Sequence, residues 1–159
     1  MSDAGASVVG LVLVSHSARL AEGVAELVRE LGGDEVPVQA AGGLPDGGLG
    51  TSSELIEQAV RAADRGAGVI VLADLGSAVL TVKLLLDEDG GGDDGGVDGG
   101  GGGNGRVALT GVAPLSSTAV LVDAPLVEGA VSAAVAAASG ADLDTVRAAA
   151  EEARDFRKL

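Results

Sequence analysis

The only histidine of the 159-residue chain, His16, lies between two serines at the end of an apolar run. This run, VVGLVLVS over residues 8–15, is continuous and rich in β-branched residues, which is typical of a strand buried on both faces of a parallel sheet. A helix is predicted directly after it, so Ser17 and the first backbone N–H groups of that helix could hold an anion. An imidazole at such a place can act as a base, a metal ligand or a phosphoryl acceptor.

Two of the alternative roles of His16 find little support among its neighbours. A metal site is disfavoured because the chain has no second histidine and no cysteine. A serine hydrolase is disfavoured because Ser15 and Ser17 adjoin His16, and adjacent residues rarely adopt triad geometry. No G-x-S-x-G motif surrounds Ser77. A lone histidine most commonly makes only a local hydrogen bond. The position of His16 directly after a buried strand favours a chemical role instead.

Asp74 ends a second buried run, GVIVLAD over residues 68–74. In a structural role it would cap the helix that follows. In a chemical role its carboxylate would accept a hydrogen bond from Nδ1–H of His16 and leave Nε2 as the nucleophile. Ligands of parallel sheets bind beyond the carboxyl ends of the strands, so we expect His16 and Asp74 to share that edge. The spacing alone does not decide whether they touch.

The rest of the chain alternates between strand and helix patterns, with a Gly/Pro/Asp-rich loop over residues 42–50. The first helix carries apolar residues at helical spacing: Leu20, Val24, Leu27, Val28 and Leu31, before Gly32 and Gly33. Further strands are predicted over 36–41 and 118–123, and further helices over 55–63, 77–86, 126–138 and 142–154. Thr51 and Glu54 have capping-box spacing, and Asp142 is the predicted cap of the last helix.

This alternation predicts one α/β domain over residues 1–159, with a mostly parallel central sheet of four to five strands flanked by helices. One segment departs from it: 11 of the 16 residues from 90 to 105 are glycine. Because glycine is costly to order and the segment has little to bury, we predict a disordered Gly/Asp-rich insertion at about 88–105. Residues 106–115 suit either a further strand or part of this insertion.

The composition excludes several classes of function. With 24 acidic residues against 10 basic ones and a single aromatic residue, the chain is not expected to bind nucleic acid. The absence of cysteine excludes disulfides and thiolate chemistry. No basic leader opens the chain and no apolar run reaches about 20 residues, so we expect a soluble cytoplasmic protein that does not insert into a membrane.

Three motifs, taken in order and spacing, point to a known family. They are SHS at 15–17, DLGSA at 74–78 and PLVEG at 125–129. Together with their flanking segments they resemble the phosphotransferase subunits of dihydroxyacetone kinase, which belong with the mannose-type enzyme IIA domains of the sugar phosphotransferase system. The resemblance covers nearly the whole chain outside the glycine-rich segment.

The resemblance implies a phosphohistidine relay with no metal and no cofactor. A phosphorylated histidine carrier protein would phosphorylate His16 at Nε2, and the phosphoryl group would pass to ADP in the nucleotide-binding subunit of the kinase. Asp74 matches the family's histidine-orienting aspartate, and Gly76 and Ser77 fall where relatives place donors near the phosphoryl oxygens. The resemblance also implies a homodimer whose partner proteins are separate chains.

Two alternative functions stay open at this point. One is a mannose-type enzyme IIA that donates to a sugar-transport subunit. The other is a non-catalytic interaction or regulatory module without phosphoryl flux.

Overall fold

The computed structural model describes residues 7–89 and 119–159. Most of the predicted insertion at 88–105, and the undecided segment 106–115, lie outside these ranges. Residues 88 and 89 are described, and they are the last two residues of a helix that begins at Gly76.

The described ranges contain four strands and five helices. In chain order they are β1 (Gly10–Ser15), α1 (Ala18–Gly32), β2 (Val38–Gly42), α2 (Ser53–Ala63), β3 (Val69–Ala73), α3 (Gly76–Asp89), β4 (Ala119–Leu121), α4 (Leu126–Ala138) and α5 (Leu143–Glu152). A short 3₁₀ turn, Ala153–Asp155, follows α5 where the sequence predicted continued α-helix. The strand order is β2-β1-β3-β4, and every pairing is parallel. This arrangement confirms the predicted α/β class.

The sheet lies between two layers of helices because its central strands are apolar on both faces. Leu11 and Leu13 of β1 pack into a cluster with α1, α4 and α5. Val12 and Val14 face the other way, into a second cluster with α2 and α3. Both faces of β1 are therefore buried, as its unbroken apolar sequence predicted.

The helix α1 buries only part of the apolar face that its sequence predicted. The predicted positions Val24 and Val28 are buried, together with Ala21 and Ala25. Leu20, Leu27 and Leu31 remain 46%, 42% and 56% exposed. The buried face of α1 is therefore formed by alanine and valine side chains rather than by its leucines.

The helix caps confirm one prediction and correct another. Asp142 caps α5, with its side chain accepting a hydrogen bond from the backbone N–H of Thr145. The predicted cap of α2, Thr51, is wrong by one residue: Ser52 accepts from the N–H of Leu55. Thr51 instead contacts Thr81 of α3 through their hydroxyls at 3.0 Å. Serine is the somewhat better cap, but the capping-box spacing of Thr51 and Glu54 pointed to the threonine.

The sheet order brings the two chemically interesting strand ends together. β1 and β3 are neighbours, with Val14 aligned with Ala73. The backbone N–H of Asp74 continues the ladder by donating to the carbonyl of Val14 at 3.1 Å. His16 and Asp74 therefore leave adjacent strands at the carboxyl edge, as the sequence predicted.

Candidate functional site

The backbone on either side of His16 is held by the loop after β2. The carbonyl of His16 accepts from the N–H of Gly50 at 2.9 Å, and that of Ser15 accepts from Gly43 at 3.1 Å. At Gly42 a Cβ would lie 2.5 Å from the carbonyl oxygen of Ser17, so no larger residue fits. The sequence predicted only a loop for this segment. Its glycine pair is the signal that could have indicated a close approach of two backbones.

The carboxylate of Asp74 receives four hydrogen bonds. Its Oδ1 contacts Nδ1 of His16 at 2.9 Å and accepts from the N–H of Leu75 at 2.7 Å. Its Oδ2 accepts from the hydroxyl of Ser15 at 2.8 Å and from the N–H of His16 at 3.0 Å. The structure thus brings the predicted pair into direct contact.

These contacts favour the ionised form of Asp74. Partial burial raises its pKa, but the hydrogen bonds from the His16 backbone, the Ser15 hydroxyl, the His16 ring and the Leu75 backbone outweigh burial and hold the pKa below its ordinary value. An ionised carboxylate only accepts hydrogen bonds. The proton between the two side chains therefore belongs to Nδ1 of His16, and in the neutral ring Nε2 carries the lone pair.

The other ring nitrogen faces the start of α3. Nε2 of His16 contacts the hydroxyl of Ser77, which can donate to the lone pair. Ser77 follows Gly76, the first residue of α3, and both are exposed. The first N–H groups of a helix have no partners within the helix and attract anions. An anion bound at Nε2 would therefore meet the start of a 14-residue helix.

The ring of His16 is accessible from outside while its partner carboxylate is screened. The His16 side chain is 26% exposed and that of Asp74 is 11% exposed. Such an arrangement would suit a group that exchanges a ligand with another protein, because part of the His16 side chain is exposed while the carboxylate that contacts it is mostly covered.

Ser17 has a structural position in this site. Its hydroxyl accepts from the N–H of Leu20 at 3.3 Å and caps α1, while its own N–H donates to the hydroxyl of Ser15. The predicted role of Ser17 as a phosphoryl ligand stays a prediction.

Ser15 is a site residue for which the sequence suggested no role other than the disfavoured one of a hydrolase nucleophile. Within the described ranges it is the one polar residue that is buried. A signal was present in the sequence, since Ser15 is the sole polar side chain in the run over 8–15. A hydroxyl at the end of a buried strand needs a partner, and the carboxylate of Asp74 supplies it.

Two classes of site have no counterpart in the described part of the chain. No cluster of three or more histidine, aspartate or glutamate side chains there could hold a metal ion. None of the described helices is long and apolar enough to cross a bilayer.

The model of one protein family matches residues 10–92, slightly over half of the chain. It is EIIA-man, described as the PTS system fructose IIA component. The matched range contains His16, Asp74, Gly76 and Ser77. The chain belongs to the EIIA-man family.

Curated relatives place the chain near one group of that family. A phosphoryl donor subunit DhaM of a PEP-dependent dihydroxyacetone kinase from Escherichia coli (strain K12) is 36% identical over 142 residues, which is 87% of this chain but 25% of that protein. The DhaM subunit of kinase 2 from Listeria innocua is 32% identical over 127 residues, and the match covers 84% of it. The chain is thus DhaM-like, and it spans about a quarter of the length of some relatives and most of another.

Solved structures share the fold. A crystallised protein of unknown function matches with a TM-score of 0.72 and 28% identity, over 96% of this chain and 98% of the other. A sigma-54 interaction domain protein from Enterococcus faecalis matches with a TM-score of 0.58 at 14% identity, which concerns the fold alone.

Proposed function

We propose that this chain is a phosphoryl carrier of the PEP-dependent phosphotransferase system that acts through a phosphohistidine on Nε2 of His16. The observation that carries the proposal is the contact between Nδ1 of His16 and the ionised carboxylate of Asp74 at 2.9 Å. This contact keeps the proton on Nδ1 and the lone pair on Nε2. A nucleophile in this form needs no base to remove a proton before it attacks.

The transfer step balances without a metal or a cofactor. The donor is a phosphorylated histidine carrier protein, whose nitrogen–phosphorus bond breaks as a new bond forms to Nε2. Because Nδ1 keeps its proton, the phosphorylated ring carries positive charge. The carboxylate of Asp74 lies against that charge and stabilises it.

Ser77 and Gly76 supply donors for the incoming phosphoryl oxygens. The hydroxyl of Ser77 lies at Nε2 in the free site, so it must turn from the lone pair to an oxygen when the phosphoryl group arrives. The exposed first N–H groups of α3 lie in the same place and favour negative charge. The site is thus prepared for an anion before one binds.

The acceptor that we propose is ADP held in the nucleotide-binding subunit of a dihydroxyacetone kinase. The support comes from the relatives in Escherichia coli and Listeria innocua, which are named as phosphoryl donor subunits of such kinases. A sugar-transport subunit is the second candidate, because the family description is that of a fructose IIA component. The identity of the acceptor separates these two functions.

We also propose that the carrier works as a homodimer in the cytoplasm, where a phosphorylated carrier protein can reach it. Leu80 and Leu84 of α3 are 63% and 65% exposed and lie one helical turn apart, so this pair could contribute apolar contacts between two subunits. Sedimentation velocity should show a dimer, and replacing both leucines with serine should favour the monomer if this face contributes.

The first test is phosphorylation from phosphoenolpyruvate through enzyme I and the carrier protein. The wild-type chain should acquire an acid-labile, base-stable label, and His16→Ala should acquire none, because the chain has no other histidine. Asp123→Asn, a change to an exposed side chain, is the matched control and should be labelled normally. A label that survives His16→Ala would contradict the proposal.

The second test follows the label onward. Labelled protein should lose its phosphoryl group when the ADP-loaded nucleotide-binding subunit is added, and ATP should appear. A label that drains only to a sugar-transport subunit would favour the second candidate. A label that drains to neither would favour the regulatory module.

A further inference from the structure

The hydroxyl of Ser15 connects the two elements that carry the site. It donates to Oδ2 of Asp74 at 2.8 Å, and it accepts from the N–H of Ser17 at 3.1 Å. Both of its hydrogen-bonding functions are therefore used inside the protein. Its side chain is fully buried, so water has no access to replace either partner.

These bonds fix the rotation of the Asp74 carboxylate. A carboxylate turns about a soft terminal torsion and selects its orientation from the donors around it. Oδ2 receives the Ser15 hydroxyl and the His16 N–H, which directs Oδ1 toward Nδ1 of His16. Without the hydroxyl, Oδ2 would keep a single donor, and the constraint on the carboxylate would weaken.

We propose that Ser15 is a positioning residue for phosphoryl transfer, holding the Asp74 carboxylate so that the His16 ring stays in the tautomer with a free Nε2. Ser15 does not touch the reacting atoms: it acts through Asp74, and its bond from the N–H of Ser17 holds the backbone next to His16. The inference rests on the proposed function for its kinetic consequence, but its effect on the ring is a separate, measurable property of the unphosphorylated chain.

A purely structural role is the competing explanation, since a buried hydroxyl that also binds the first turn of α1 would stabilise any protein. A structural role predicts a lower stability with an unchanged histidine ring. A positioning role predicts a change in the ring itself. The two roles are therefore separated by a readout at His16.

The test compares Ser15→Ala with Val146→Ala, which removes a fully buried side chain of α5 away from the site and lowers stability without touching Asp74. Nitrogen NMR reports the tautomer of the His16 ring without ambiguity, because it is the only histidine. Among neutral His16 rings, Ser15→Ala should increase the fraction of the tautomer that carries its proton on Nε2. Val146→Ala should leave that fraction unchanged. Labelling of Ser15→Ala should slow about tenfold, which is the effect of one hydrogen bond to a charged group.

Ser15→Cys serves if Ser15→Ala does not fold, because the thiol fills the same space but is a weak donor. It should shift the tautomer in the same direction by a smaller amount. An unchanged tautomer in a folded Ser15→Ala or Ser15→Cys variant would overturn the proposal. If the wild-type chain is not labelled at all, the proposed function fails, whereas the NMR comparison still decides the role of Ser15.

Discussion

Two aspartates follow strands at the same edge of the sheet, yet their surroundings differ completely. Asp74 follows β3, is 11% exposed and receives hydrogen bonds from three neighbouring residues. Asp123 follows β4, is 94% exposed and has an ion pair with Arg154 at 3.6 Å. A carboxylate at the carboxyl edge is therefore not enough to make a site.

The difference between the two aspartates comes from the order of the strands. β3 pairs directly with β1, so Asp74 lies beside the segment that carries Ser15 and His16. Among the strands of the described residues, β4 pairs with β3 alone and lies at the end of the strand order, away from β1. The sheet topology selects Asp74 for contact with the histidine and leaves Asp123 in solvent.

The largest expected difference between the two aspartates is in phosphoryl transfer. Asp74→Asn should slow labelling of His16 by about 10²-fold, the low end of orientation and acid–base effects. The amide can donate to Nδ1 and so favour the tautomer in which Nε2 carries the proton. Asp123→Asn should be labelled at the wild-type rate. Initial rates with excess phosphorylated carrier protein measure the labelling of both variants. Equal slowing of the two would contradict the different roles assigned to Asp74 and Asp123.

A smaller effect is expected at the start of α3. Ser77→Ala should slow labelling about tenfold, because one donor to the phosphoryl oxygens is lost while the nucleophile stays intact. Ser53→Ala is the matched control, since Ser53 is an exposed serine in the first turn of α2. If Ser77→Ala were labelled as fast as Ser53→Ala, the hydroxyl would have no part in transfer.

Asp74, unlike Asp123, is also expected to make a pH-dependent contribution to the free energy of unfolding. The pKa of Asp74 is lowered from its ordinary value of 3.8, so its ionised form favours the folded state. This contribution is fully present above pH 3.8 and is lost as the pH falls through the lower, folded-state value. Asp74→Asn lacks it and should be less stable than wild type by about 1 kcal/mol at pH 7.

Urea unfolding at several pH values measures this contribution. The difference in free energy of unfolding between wild type and Asp74→Asn should shrink below pH 3.8. Circular dichroism at each pH establishes that both proteins start folded. A difference that stays constant or grows toward acid would show that the hydrogen bonds do not favour the carboxylate.

The strand–helix pattern of the sequence predicted most of the helices and strands of the fold. It also predicted His16 and Asp74 as the main residues of the site. The unbroken apolar run of β1 predicted a doubly buried strand, and the parallel class placed His16 and Asp74 on one edge. Contact between them required the strand order, which puts β1 beside β3. Nothing in the local sequence states that order, because it depends on how the helices pack.

The errors lie where neighbouring residues have similar local preferences. Thr51 and Ser52 can both cap a helix, and the sequence does not show that Ser52 is the cap while Thr51 contacts Thr81. For Ser15 the run over 8–15 predicts burial, but it does not show which side chain the hydroxyl meets, and that partner, Asp74, is supplied by the neighbouring strand. In α1 the helical spacing gives Leu20, Leu27 and Leu31 the same weight as Val24 and Val28, and it does not show that alanines complete the buried face instead.

The smallest effect is expected for the ion pair at Asp123. Its carboxylate is 94% exposed, and the Arg154 side chain is 51% exposed, so water and salt screen the 3.6 Å contact. Arg154 is also held by a hydrogen bond from Nε to the carbonyl of Glu151, which does not need Asp123. Asp123→Ala should therefore change the free energy of unfolding by no more than about 0.5 kcal/mol. Urea unfolding at low and high salt measures the change, and a loss above about 1 kcal/mol would mean that this strand end is as strongly coupled to the fold as the end of β3.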